Sequence, residues 1–382
     1  MNFKKMMKRA VIFSMTAVIA FGVAGCGKKE ESHSEGKNSV RIGFVTALSG
    51  GAAAYGKSQE EGIRLAVSEI NEKGDIPVEI LTEDSKGVPG DAINVTKKLI
   101  QEKVSVLIGP MTSNEAKATG PVTQNAKVPV LAISVTAEGM TDIGDYIFRN
   151  SVPESVNIPQ TVRKTKALLN YKTAAVLYAH DNEQHVTAKK YFEKTLQEEG
   201  VDIVGTEAFG SKDSEYSAQL TKIQHAAPDV IILCCYYQEG SRILRKMREM
   251  GMNQPVLGDN GFVSPELGKM AGSAADNVYV SSMWSSERES EKTKKFVENY
   301  KKAYGHEPDQ FAAAAYDGVY MVTEAVIRGG SGKDRKKIRD ALAEMKNFEG
   351  VCGTFSFDEN RNPQTELILL RMKDGKFSAV KR

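Results

Sequence analysis

Residues Gly51 to Ser58, GAAAYGKS, satisfy the pattern G-x-x-x-x-G-K-S, in which a glycine-rich turn and a lysine cradle nucleotide phosphates. The flanks fit that chemistry. VRIGFVTAL before the motif reads as a buried strand, and QEEGIRLAVSEIN after it reads as a helix. Two glycines, one lysine and one hydroxyl residue at fixed offsets arise by chance in on the order of one in a hundred chains of this length, so the match alone is only suggestive. Phosphoryl transfer also needs a carboxylate at the end of a second strand to hold Mg²⁺. Asp181 stands three residues beyond AAVLY, and IILCC ends without an acid. Lys57 and Ser58 are therefore expected to be an exposed lysine and an ordinary first-turn residue. No G-x-S-x-G elbow occurs, and the polar groups of FRN and EDS form no nucleophile–base pair, so no enzymatic activity is expected.

The N-terminal stretch narrows the setting. Lys4, Lys5, Lys8 and Arg9 precede an uncharged apolar run from Ala10 to Gly25, which is too short to cross a bilayer comfortably. The run ends in Val23-Ala24-Gly25-Cys26, which looks like a bacterial lipobox with Cys26 as the lipidated residue. GKKEESHSEGKNS follows as a polar tether. Loss of residues 1–25 lowers Lys+Arg from 51 to 47 against 49 Asp+Glu, a net charge near −2 that gives no support for a nucleic-acid partner. Cys234, Cys235 and Cys352 remain, an odd number without C-x-x-C spacing, and are expected to be buried free thiols rather than disulfides or zinc ligands. His180 and His185 in HDNEQH are five apart and do not share a helix face, so no metal or cofactor site is expected.

From Val40 the chain alternates strand-like runs (RIGFVTAL, PVEILTED, VSVLIGP, PVLAIS) with helical segments. In the first helix Ile63, Ala66, Val67 and Ile70 form one apolar face. YIFRNSVPES interrupts the rhythm, and a second series follows: TAAVLYAHD, VDIVGTEAF, DVIILCCYY, PVLGDNG and NVYVSSMW as strands with helices or turns between them. ESEKTKKFVENYKKAYG, DQFAAAAYDGVYMVTEAVIRGG and KDRKKIRDALAEMK read as helices, and the tail from Phe348 reads as strands, with GKF marking a hairpin. Alternation of this kind predicts an α/β fold with two parallel-sheet lobes and a ligand cleft at the carboxyl ends of their strands.

Several stretches, in order, resemble the branched-chain amino-acid (Leu/Ile/Val-type) solute-binding proteins of ABC importers, which have a type I periplasmic-binding-protein fold. FVTALSGGAAAYGKSQEEGIRLAVSEIN resembles that family's opening strand, ligand loop and first helix. LIGPMTSNEA and PVLAISVTAEGMT resemble its second and third ligand loops, YIFRNSVP its first hinge crossing, and PVLGDNGFVSPEL and FEGVCGTFSFDENRNP two further stretches. The resemblance implies two Rossmann-like lobes joined by a three-crossing hinge. It divides the chain into a signal peptide (1–25), a tether (26–39), a first lobe (40–150 plus 283–351) and a second lobe (151–282 plus 352–382).

The resemblance also implies ligand residues. Tyr55 in the first loop would wall the ligand's side chain. Ser113, beside a helix opened by Asn114, would bind its carboxylate, since first-turn N–H groups there point at an anion. Val135 and Thr136 would add main-chain and hydroxyl contacts. In the second lobe Gln184 stands where the family often has Tyr, Tyr236 would cover the ligand's apolar part, and Asn260 stands where the family has an acid for the ligand's α-ammonium. An ammonium buried without a carboxylate is costly, so either Asp259 serves or the ligand lacks an α-amino group, as an aromatic or keto acid does. The implied function is an exported lipoprotein on the outer face of the cell membrane, closing on a small carboxylate-bearing solute and delivering it to importer permease subunits. A sensor of the same fold is the alternative.

Overall fold

The computed structural model describes residues 39–381. The expected signal peptide, Cys26 and the tether up to residue 38 lie outside the described residues. Among those described, no helix is long and apolar enough to cross a membrane.

The first series folds as expected: β1 (Val40–Thr46), α1 (Ala53–Lys73), β2 (Val78–Asp84), α2 (Pro89–Gln101), β3 (Val106–Ile108), α3 (Ser113–Asn125), β4 (Val130–Ala132) and β5 (Ile147–Arg149). The five strands form one parallel sheet in the order β2-β1-β3-β4-β5. The second series is α4 (Glu154–Leu169), β6 (Thr173–Ala179), α5 (Glu183–Glu198), β7 (Asp202–Phe209), α6 (Ser217–Ala226), β8 (Val230–Cys234), α7 (Tyr237–Glu249), β9 (Val256–Gly258), α8 (Pro265–Ala271) and β10 (Val278–Ser282). Helices α9 (Glu291–Tyr304), α10 (Gln310–Gly329) and α11 (Arg335–Ala343) return to the first lobe. They are followed by β11 (Phe348–Gly350), β12 (Gly353–Phe357), β13 (Pro363–Gln364), β14 (Ile368–Lys373) and β15 (Lys376–Ala379). The second sheet runs β15-β14-β10-β9-β8-β6-β7, with β14 alone running against the other strands. Every residue of β8 is buried, as a strand covered by helices on both faces requires.

The chain passes between lobes three times: from β5 into α4, from β10 into α9, and from β13 into β14. The third crossing differs from expectation. Residues 352–364 were read with the second lobe, yet Cys352, Phe355 and Phe357 are buried in the first lobe's core with Phe348 and Val351. Apolar side chains on a short three-stranded sheet bury against the nearest helices, here α9 and α10. Only β14 and β15 join the second sheet, through a hairpin whose Asp374-Gly375 turn has positive φ at both residues (51° and 74°), as a type I′ turn requires.

Close contacts explain the motif that opened the sequence. A Cβ on Gly56 would stand 1.9 Å from the carbonyl oxygen of Ala47, so this glycine lets α1 approach the end of β1. Lys57 is exposed, and the Ser58 hydroxyl donates to Asp309 Oδ1, at the N-cap of α10. Helix α1 begins at Ala53, earlier than the sequence suggested, so Tyr55 sits in its first turn and not in the preceding loop.

Within the first lobe, buried Asp317 on α10 accepts the N–H groups of Val351 (2.7 Å) and Cys352 (2.9 Å) and fixes the β11–β12 turn. A Cβ on Gly350 would stand 2.3 Å from that carboxylate. Burial pushes the Asp317 carboxyl up to about 6, against the pull of the two N–H donors. A folded-state value raised above the unfolded one contributes stability that is complete below about pH 4 and is lost as pH rises through about 6. The stability of the wild type relative to Asp317→Asn, from urea unfolding, is therefore expected to fall between about pH 4 and pH 7. A difference that stays flat across that range contradicts this.

Candidate functional site

Sequence positions 55, 113, 135, 136, 184, 236 and 260 all fall at the carboxyl ends of strands or on the first turns of the helices that follow, where the two sheets face each other. Tyr55 is 1% exposed although it sits beside a surface loop. Its ring meets Tyr236 (5.6 Å between centroids), Tyr237 (5.0 Å) and Phe311 (4.5 Å). Its hydroxyl donates to the Gly261 carbonyl at 2.5 Å and accepts from the Tyr237 N–H at 3.1 Å.

Helix α3 is capped by Thr112, not Ser113. Thr112 and Glu115 form a reciprocal capping box, and Ser113 is the first helical residue. The buried Ser113 Oγ accepts from the Ala137 N–H at 3.3 Å and so reaches the third loop. The Val135 carbonyl accepts from Ser151 Oγ (2.8 Å) and from the Arg149 guanidinium (3.2 Å), which also binds the Ala137 carbonyl (2.6 Å). Burial lowers Arg149 to about 10, still a cation at neutral pH. Gln59 ties the loops together from α1, accepting from Thr46 Oγ1 and donating to Ser134 Oγ.

Thr136 leads to a residue that the sequence reading missed. Its hydroxyl donates to Glu154 Oε1 at 3.0 Å, and its carbonyl accepts the Glu154 N–H at 2.9 Å. Glu154 opens α4, at the first crossing, and is fully buried. The same Oε1 accepts the Asn260 N–H from the second lobe at 3.3 Å. Burial pushes the Glu154 carboxyl well above the usual range, and the nearby charge of Asp259 pushes it the same way. The signal was present: an acid directly after Pro153 is a helix-start pattern. It was masked because Pro159 interrupts the α4 run.

In the second lobe Asn260 has its side-chain carbonyl occupied by Gln310 Nε2 (2.6 Å) from α10. Its neighbour Asp259 is fully buried and pairs with His185 Nδ1 at 2.6 Å. The His185 ring stands edge-on to Tyr236, 4.6 Å between centroids. His180 is exposed, whereas His185 is buried against Asp259 and Tyr236. Gln184 Nε2 and His185 Nε2 are buried without a hydrogen-bond partner, and Asn182 approaches the Tyr236 hydroxyl without closing one. Cys234, Cys235 and Cys352 are buried free thiols, with burial raising each. Among the described residues no group of three His, Cys, Asp or Glu could hold a metal ion.

The lips of the two lobes meet around this centre. Asn114 accepts the Glu183 N–H (2.8 Å) and donates to the Asp181 carbonyl (3.2 Å). Lys117 pairs with Glu183 at 2.7 Å, and Glu138 pairs with Lys190 and accepts from Tyr191. Chemically, the arrangement gathers hydroxyls, first-turn amides and two buried carboxylates beside an aromatic wall. Such a set can hold a small polar solute.

His185→Ala would leave the Asp259 carboxylate buried without its partner. It is expected to cost about 3–5 kcal/mol in urea unfolding at neutral pH. A loss under about 1 kcal/mol would show that the buried Asp259 does not depend on this partner.

Comparison with known proteins agrees with this architecture. Residues 39–376 match the periplasmic binding protein family. The fold superposes, with a TM-score of 0.84 and 33% identity over 89% of this chain and 98% of the other, on the branched-chain amino acid transporter substrate-binding protein LivJ of Streptococcus pneumoniae in complex with isoleucine. A leucine-binding protein LivK from Thermotoga maritima gives a TM-score of 0.86 at 27% identity, covering 90% of this chain and 98% of that one. A Leu/Ile/Val-binding protein homologue of Brucella abortus is 26% identical, over 89% of this chain and 92% of its own. With two α/β lobes, three crossings and this match over nearly the whole described chain, the chain belongs to the periplasmic binding protein family.

Proposed function

We propose that the protein is an extracytoplasmic solute-binding lipoprotein of an ABC importer, taking a small amino acid of the branched-chain type between its lobes. The observation that carries this reading is the buried Glu154 carboxylate, one hydrogen bond from Thr136 in the first lobe and one from Asn260 in the second. An isolated buried carboxylate is costly, and a ligand ammonium would compensate it. Glu154 thus supplies the negative charge that Asn260 lacks, which favours an amino acid over an aromatic or keto acid. Ser113 and the first turn of α3 suit the ligand carboxylate. The Val135 carbonyl, Thr136 and Gln184 add polar contacts, while Tyr55, Tyr236 and Phe311 suit an aliphatic side chain.

The isoleucine bound by LivJ and the leucine-binding name of LivK support the same class. The Cys26 lipobox supports a lipid anchor on the outer face of the cell membrane, from which the closed form would meet the importer's permease subunits. A ligand that binds only the folded state must raise the melting temperature. Isoleucine, leucine, valine and alanine should be compared with their 2-keto acids in a thermal-shift series on wild type and Glu154→Gln. At least one amino acid is expected to stabilise the wild type by several degrees, its keto acid far less, and the Glu154→Gln variant is expected to lose the preference. Equal stabilisation by a keto acid, or none by any of these amino acids, contradicts the reading.

A further inference from the structure

Helix α7 starts without a cap of its own. Its N-cap residue, Tyr236, makes no side-chain hydrogen bond to the helix, so the first-turn N–H groups need an acceptor from elsewhere. The N–H of Tyr237, its first helical residue, finds one in the Tyr55 hydroxyl at 3.1 Å, which comes from α1 of the opposite lobe. The same hydroxyl donates its proton to the Gly261 carbonyl at 2.5 Å, in the 3₁₀ turn Asn260–Phe262 that follows β9. Both of its hydrogen bonds therefore end on second-lobe backbone. The turn packs tightly here: a Cβ on Gly261 would stand 2.8 Å from the Cys235 carbonyl and 3.1 Å from the Tyr236 ring.

We propose that Tyr55 is the catch of the closed form: a positioning residue whose hydroxyl caps α7 across the cleft and so slows lobe opening for any ligand. This goes beyond a wall for the ligand's side chain, which the ring alone would provide. Rotating the lobes apart removes the acceptor from the Tyr237 N–H and the donor from the Gly261 carbonyl together, so the barrier to opening includes both. The ring stays packed on Tyr237 and Phe311 in Tyr55→Phe, so the variant isolates the hydroxyl. The kinetic arm of the test rests on the amino-acid reading above, whereas the distance arm does not.

Spin labels on the full chain at the exposed Lys97 and Gln197 positions, one on each lobe, report interlobe distance, since Cys234, Cys235 and Cys352 are buried and Cys26→Ser removes the fourth thiol. Tyr55→Phe is expected to shift the ligand-free distribution to longer, broader distances with the melting temperature changed by no more than a few degrees. Release of isoleucine and of alanine should each accelerate about tenfold, with association rates within threefold of wild type. An unchanged distance distribution overturns the inference. So does an acceleration that differs severalfold between the two ligands, because the hydroxyl would then be reading the ligand. If neither amino acid binds the wild type, the functional reading fails while the distances still decide on the catch.

Discussion

Glu154 carries a carboxylate into the joint between two lobes, where water cannot solvate it. Taking a charge out of water costs several kcal/mol unless partners replace the lost solvation. The chain meets that constraint with the Thr136 hydroxyl, the Asn260 N–H and, more weakly, Asn157 Nδ2 at 3.4 Å. Those partners come from both lobes, so the carboxylate is well solvated by protein only when the lobes are together. Asp259, buried nearby, raises the cost further and is itself held by His185. Burial and Asp259 both favour the protonated form of Glu154, and a bound ammonium would favour its ionised form.

The architecture places this charge where a hinge can use it. Residue 154 follows the short segment 150–153 after β5, at the first interlobe crossing, and α4 packs along the second lobe's β10 and α5. The first turn of α3 stands beside the Thr136 loop through Ser113 and Ala137. Arg149 fixes that loop by holding the carbonyls of residues 135 and 137, and its guanidinium also reaches Asn362 Oδ1 (2.7 Å) in the segment before the third crossing. A single buried cation therefore links the third loop to the hinge, so the loop cannot shift without disturbing a crossing. The aromatic group around Tyr55 closes the other end and contains residues from both lobes.

How much of this was legible in the sequence depended on the kind of signal. Strand–helix alternation is a periodic property of many residues, and both sheets emerged from it. The family resemblance marked seven ligand positions, and they lie in the loops and first helical turns that follow strands. Single-residue chemistry was harder. The G-x-x-x-x-G-K-S match follows from packing, because Gly56 must clear the Ala47 carbonyl and Ser58 must reach Asp309. His185 looked unimportant when judged by its spacing from His180, since its partner, Asp259, is 74 residues away. Residues 352–364 were assigned to the wrong lobe, because a short β segment declares no side until its Phe355 and Phe357 find a core. Asn260 was the useful discrepancy: an amide at an expected acid position left either Asp259 or a ligand without an α-amino group, and nothing in the sequence showed that Glu154, 106 residues away, lies one hydrogen bond from it.

The central claim is that Glu154 receives the ammonium of a bound amino acid. A crystal structure of the protein with isoleucine tests it most directly. The account predicts the ligand between the lobes with its ammonium nitrogen about 3 Å from a Glu154 oxygen and its carboxylate toward Ser113. An ammonium held elsewhere, with Glu154 still bonded only to protein groups, would contradict it.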